Sequence, residues 1–132
     1  VGAAIADVVT MLELRDDIIA VGLDFQVGVG GGRLSSVQRQ KLGLARAVIK
    51  QPDVLILNEA TATIDGASQG RILDNLLNEF EGRSVIWVVH RAALAERFDK
   101  ILVMQAGRIV EQGDYAELGN EGSALTELIR AE

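Results

Sequence analysis

Two short apolar runs, Val54-Leu55-Ile56-Leu57 and Val85-Ile86-Trp87-Val88-Val89, constrain the fold more than any other feature of the chain. Each is too short for an ordinary helix, and each has the aliphatic, β-branched character of a strand buried on both faces. Between them, Ile72, Leu73, Leu76 and Leu77 recur at the spacing of one helix face, predicting a helix from about Gln69 to Phe80. A third strand is expected at Ile101–Met104, after a short helix near Ala93–Phe98. Ala106-Gly107 then reads as a hairpin turn into Arg108–Glu111, and the rest, from Asp114, reads as short helices. Strands alternating with helices predict an α/β fold with a mostly parallel sheet.

Upstream, Ile5, Val8, Val9 and Leu12 are helically spaced, with a polar break at Arg15-Asp16-Asp17. Gly28-Val29-Gly30-Gly31-Gly32 is a loop. Ser35 or Ser36 N-caps a helix that runs to about Lys50 with Leu42, Ala45 and Ile49 inward, and Gln51-Pro52-Asp53 ends it. The sequence holds no repeat, linker or low-complexity segment.

At 132 residues the chain has room for one domain or a piece of a larger one, and its first residue, Val1, leads us to expect a piece. With 48% hydrophobic and 24% charged residues it has the composition of a folded protein. The absence of cysteine excludes a disulfide framework and a thiolate metal site. No apolar run reaches the length of a membrane span, and Asp7, Glu13, Arg15, Asp16 and Asp17 exclude an N-terminal signal peptide. The net charge of −6 argues against non-specific nucleic-acid binding. Its distribution is uneven: Arg33, Arg39, Lys41, Arg46 and Lys50 fall between Phe25 and Pro52 with no acid among them.

Three places invite chemistry. A buried strand ending in Asn58-Glu59 delivers polar side chains to the carboxyl edge of the sheet, where open α/β folds bind ligands. The helix opening at Ser35 offers unpaired N–H groups and partial positive charge to an anion. His90, the only histidine, directly follows a strand. Asp65 alone reads as an N-cap for the helix beginning at Gly66.

Leu34-Ser35-Ser36-Val37-Gln38-Arg39-Gln40, followed after one helix by Val54-Leu55-Ile56-Leu57-Asn58-Glu59-Ala60-Thr61, resembles the signature motif and Walker B strand of an ABC-type ATPase. Arg39-Gln40-Lys41 and Ala45-Arg46-Ala47 extend the likeness. Ala60-Thr61-Ala62-Thr63-Ile64-Asp65 resembles the D-loop, and Val88-Val89-His90-Arg91 the H-loop. Asp99–Gly113 is similar to the segment that follows the H-loop in ABC exporters. Asp24–Gly28 sits where exporters carry a loop contacting the membrane domain, without its usual acids.

The resemblance implies a role for each matched residue. Glu59 takes the general-base position and His90 the switch histidine that reaches the γ-phosphate, making them the expected catalytic pair. Ser35, Ser36, Gln38 and Asp65 take the nucleotide-facing positions of the signature and D-loop. Asn58 replaces the Asp that serves Mg²⁺, and so brings an amide oxygen but no charge to a hard cation. Ser36 and Val37 replace two glycines, and the Val37 side chain is expected to fill space where backbone meets phosphate. No Walker A sequence is present, since none of the three lysines follows a glycine. In the family that strand lies between the H-loop strand and the one at Ile101–Met104. Without it, an apolar edge at Ser84–Val89 is exposed, and the isolated chain is expected to oligomerise, swap strands or repack.

The expected architecture is therefore part of a three-layer P-loop NTPase fold. Residues 1–52 are the remainder of a helical subdomain with the signature helix, and residues 53–132 the C-terminal part of the α/β core. The implied ligands are ATP and Mg²⁺. The implied partners are a second nucleotide-binding domain and a transmembrane domain, at the cytoplasmic face of a membrane, with no nucleic acid. The complete protein would be a transport ATPase, and this chain alone inactive. An SMC-like ATPase acting on DNA and a non-hydrolysing ABC-type interaction module are the alternatives.

Overall fold

A capped helix, a parallel strand pair and a covering helix form the first of two compact units, Val1–Val88 and Val89–Glu132, in the computed structural model, which describes residues 2–132. In the first unit, α1 (Gly2–Met11) and α2 (Arg15–Val21) are separated by a corner at Leu12-Glu13-Leu14, where Glu13 has a φ of +55°. The corner falls one turn before the charged break that the sequence suggested, because Leu12 and Leu14 are both drawn into the core. After a 3-10 turn at Val29–Gly31 come α3 (Ser36–Val48), β1 (Val54–Asn58), α4 (Gly66–Glu79) and β2 (Ser84–Val88).

β1 and β2 pair in parallel, with Leu55 opposite Val85 and Leu57 opposite Trp87. One face of this sheet packs into a core of Val8, Leu12 and Leu14, of Leu44 and Val48 on α3, and of Ile72, Leu76 and Phe80 around α4. The other face is open: Val54 is 52% exposed, Ile56 68%, Ile86 54% and Val88 49%. The strands thus alternate, rather than being buried on both faces as their apolar runs predicted. Among the described residues no layer covers that second face, and β2 pairs with β1 alone.

Helix α3 also differs from expectation. Lys41, Leu44 and Val48 are the buried positions, whereas Leu42 and Ile49 are exposed. The true stripe contains a lysine, so apolarity alone placed the inward face one residue out of phase. Lys41 lays its alkyl stem inside and donates from Nζ to the Glu13 carbonyl at 3.0 Å. The Glu13 carboxylate accepts from Arg71 Nε at 2.5 Å, joining the α1–α2 corner to α4.

That hydrogen bond from Arg71 holds the Glu13 carboxyl below its ordinary pKa. The charged form is the one favoured by folding, so the contribution is full above the ordinary glutamate value and disappears as pH falls through the lowered one. Glu13→Gln is expected to melt slightly below the wild type at pH 7. The gap should narrow once pH falls below the ordinary glutamate value and close below the lowered one. A gap of constant size across that range would assign the effect to packing instead.

In the second unit a 3-10 turn (Ala92–Arg97) precedes the antiparallel hairpin of β3 (Ile101–Gln105) and β4 (Arg108–Gly113). Its two-residue turn has Ala106 at φ +50° and Gly107 at φ +75°, the left-handed pair that matches strand twist. α5 (Tyr115–Leu118) and α6 (Ala124–Arg130) follow, and Leu125 packs with Ile101 and Val103 in a separate small core. Glu111 accepts from the Ala124 and Leu125 N–H groups, capping α6 from the hairpin. The mostly parallel sheet of the sequence reading thus appears as one parallel and one antiparallel pair.

Candidate functional site

Glu59 stands at the carboxyl end of β1 with a φ of +48°, a left-handed conformation that is uncommon for a residue with a side chain. Its N–H donates to the Val88 carbonyl at 2.9 Å, so the last ladder bond between the strands also fixes this turn. The Glu59 carbonyl in turn accepts from Ala62 N–H at 3.1 Å, and Ile64 N–H donates to Thr61 O at 3.0 Å. The exposed Glu59 therefore sits on a hydrogen-bonded scaffold at the sheet edge. Asn58, the last residue of β1, is exposed and by alternation lies on the open face with Val54 and Ile56.

The loop after Glu59 is anchored from below. Thr61 and Gln69 are each 2% exposed, and Gln69 Nε2 donates to Thr61 O at 3.0 Å and to Thr61 Oγ1 at 2.6 Å. Asp65 caps α4, its side chain accepting from Ser68 N–H at 3.0 Å. The hydrogen bonds from Ser68 hold the Asp65 carboxyl below the ordinary aspartate range.

At the start of α3 the capping box is complete. Ser35 Oγ accepts from Gln38 N–H at 3.1 Å, and Gln38 Oε1 accepts from Ser35 N–H at 2.9 Å. The other end of the Gln38 amide donates to Asp17 Oδ1 at 2.8 Å, so both ends of this side chain are engaged within the chain. Ser36 is exposed in the first turn. Val37 packs against the main core, so its side chain does not take the position at the helix tip that the sequence reading gave it. The glycine loop before it folds back on α3: Arg39 donates to Leu34 O at 3.0 Å, and a Cβ on Gly31 would lie 3.2 Å from the Arg39 stem.

Ser35, Ser36, Gln38, Asn58, Glu59 and Asp65 all belong to the first unit, at the start of α3, the end of β1 and the start of α4. His90 belongs to the second unit, exposed in the short link between β2 and the 3-10 turn. One contact escaped sequence reasoning. Gln40 Oε1 accepts from both Thr63 N–H at 3.0 Å and Thr63 Oγ1 at 2.8 Å, tying α3 to the loop that ends in Asp65. Its only signal was that Gln40 lies within the extended motif.

Among the described residues no group of three or more His, Asp or Glu side chains could hold a metal. At the end of β1, Asn58 offers one amide oxygen and Glu59 one carboxylate. No helix is long and apolar enough to cross a membrane among the described residues.

No protein-family model matches the chain. The "ATP-dependent lipid A-core flippase" of Burkholderia orbicola is 43% identical over 119 residues, which are 89% of this chain and 20% of the flippase. The "Heterocyst differentiation ATP-binding protein HepA" of a Nostoc species is 44% identical over 97 residues, 74% of this chain and 16% of that protein. The chain therefore spans about a fifth or less of the length of these relatives. Among solved structures, a bacterial Atm1-family ABC exporter with ATP bound superposes with a TM-score of 0.86 at 28% identity, covering 98% of this chain and 23% of the exporter.

Proposed function

The chain belongs to the ATP-binding domains of the ABC exporters, and on that premise we propose that it supplies the signature, Walker B, D-loop and H-loop part of an ATP site that drives transport across a membrane. The observation that carries the proposal is Glu59, held in a left-handed turn at the end of a parallel strand by its bond to Val88. The backbone that carries this carboxylate is fixed at the sheet edge, which leaves the exposed side chain to accept a proton from water and to orient it.

In this reading Glu59 polarises the attacking water, and His90 contacts the γ-phosphate. Ser35 and Ser36 present the N-terminal N–H groups of α3 to ATP held by a second nucleotide-binding domain. Gln38 acts at that surface by fixing Ser35, since both ends of its amide are already bonded. Asp65, its carboxyl held below the ordinary aspartate range by the hydrogen bonds from Ser68, is the D-loop residue between the two nucleotide sites. Asn58 would offer its amide oxygen to the Mg²⁺ that accompanies ATP. The ion's part is to neutralise charge on the phosphates. Residues 1–52 form the remainder of a helical subdomain and residues 53–132 the C-terminal part of the α/β core. A transmembrane domain is the second partner, which places the chain at the cytoplasmic face of a membrane.

Asn58 and Ser36 depart from the family pattern, and turnover should be slow for that reason. Asn58→Asp combined with Ser36→Gly in the full-length protein is expected to raise ATP turnover by roughly tenfold, about 1.4 kcal/mol of barrier. Val37 is left in place because it serves the core. Steady-state phosphate release checks this, and unchanged turnover in the double variant would count against these two assignments.

A further inference from the structure

The loop from Ala60 to Asp65 has no regular secondary structure, and most of its hydrogen bonds stay within the β1–α4 connection. Ala62 bonds to Glu59, Ile64 to Thr61, and Thr61 to Gln69. Thr63 is different, because its N–H and its hydroxyl both donate to one oxygen, Oε1 of Gln40 on α3. Gln40 lies in the second turn of α3, and Thr63 lies two residues before Asp65.

A second route runs beside the first. Lys41, next to Gln40, donates to the Glu13 carbonyl, and the Glu13 carboxylate accepts from Arg71. Arg71 also donates to Ser68 Oγ at 3.0 Å, and Ser68 N–H donates to Asp65. Two consecutive residues of α3 therefore reach Asp65, one directly through Thr63 and the other around the α1–α2 corner. A helix bonded to a short loop at Thr63, and tied through its next residue to the helix that Asp65 caps, restrains where that loop can lie.

We propose that Gln40 is a positioning residue of the nucleotide site, setting Asp65 relative to the N-terminus of α3 by holding Thr63. This rests on the functional reading above, in which that N-terminus faces ATP held by a second domain and Asp65 lies between the two nucleotide sites. Thr63 is exposed, so water replaces Gln40 when the latch is removed and the fold loses little. The loss appears in placement instead, where displacement by about an ångström costs up to 10²-fold in rate.

The test uses the full-length protein with Gln40→Ala, Gln40→Glu, Asp65→Ala, the Gln40→Ala/Asp65→Ala pair, and Glu59→Gln as a control. Amide exchange over residues 60–65, read without nucleotide, is expected to quicken by about tenfold in Gln40→Ala while α4 is unchanged. ATP turnover should fall by about tenfold with KM for ATP within about twofold. Gln40→Glu keeps an acceptor oxygen for Thr63 and should restore both readouts. The double variant should be no slower than Asp65→Ala alone, because both losses act through one element. Unchanged loop exchange in Gln40→Ala, or losses that multiply in the double variant, would overturn the proposal. Turnover that survives Glu59→Gln would sink the catalytic reading separately, and the exchange result would still decide whether Gln40 holds the loop.

Discussion

Glu59→Gln in the full-length protein is expected to lower ATP turnover by about 10²–10⁴-fold while ATP still binds. The change keeps the size and hydrogen-bonding reach of the side chain but removes the group that accepts a proton. The backbone at this position is set by the bond from Glu59 N–H to Val88 and by the turn closed on Ala62. An amide side chain leaves both untouched, so melting should be unchanged. Loss of turnover together with loss of ATP binding would mean that Glu59 has a structural part. Full turnover would remove it from the chemistry.

The second large effect concerns the fold. Phe80, 1% exposed, closes the core beneath α4, and its N–H donates to Leu76 O at 3.0 Å as the helix ends. The Arg83 guanidinium lies 4.9 Å from its ring centroid, covering the outer side. Phe80→Ala removes a large buried side chain from among Leu55, Ile72 and Leu76 and is expected to cost about 3–5 kcal/mol. With total stabilities of about 5–15 kcal/mol, that loss brings a domain of this kind close to unfolding. Phe80→Leu, which refills much of the volume, should cost about 1–2 kcal/mol in urea melts. Equal, small losses in both variants would show that the ring contributes little to the core.

The order of elements was legible in the sequence because hydrophobic period and punctuation agree there. Pro52, the Gly82 turn and the Asp65 and Ser35 caps all fall where the chain changes element. Faces were harder to read. Lys41 occupies a core position on α3, and a lysine that buries its stem while donating to a carbonyl looks like a surface residue in a sequence. The β1 and β2 runs predicted burial on both faces, and half of those side chains are exposed.

The site was legible as motifs but not as contacts. Ser35, Glu59 and Asp65 stood out because capping and strand-end chemistry are local. Gln40 did not, because its partner Thr63 is 23 residues away and only the packing of α3 against the β1–α4 loop brings them together. Val37 misled for a related reason. Its β-branched side chain looked like an obstruction at a helix tip, yet the helix phase turns it toward the core.

On the proposed reading, this chain carries the water-orienting and partner-facing part of an ATP site but not the loop that grips the phosphates. Trp87 lies on the packed face of β2, one residue before the Val88 carbonyl that holds Glu59, and so reports on this edge of the sheet. The direct measurement is a titration of the 132-residue chain and of the full-length protein with Mg-ATP, followed by Trp87 fluorescence and checked by equilibrium dialysis. Saturable binding is expected of the full-length protein and none of this chain alone. Saturable binding by the 132-residue chain would contradict the proposed reading, because the chain would then hold a phosphate site of its own.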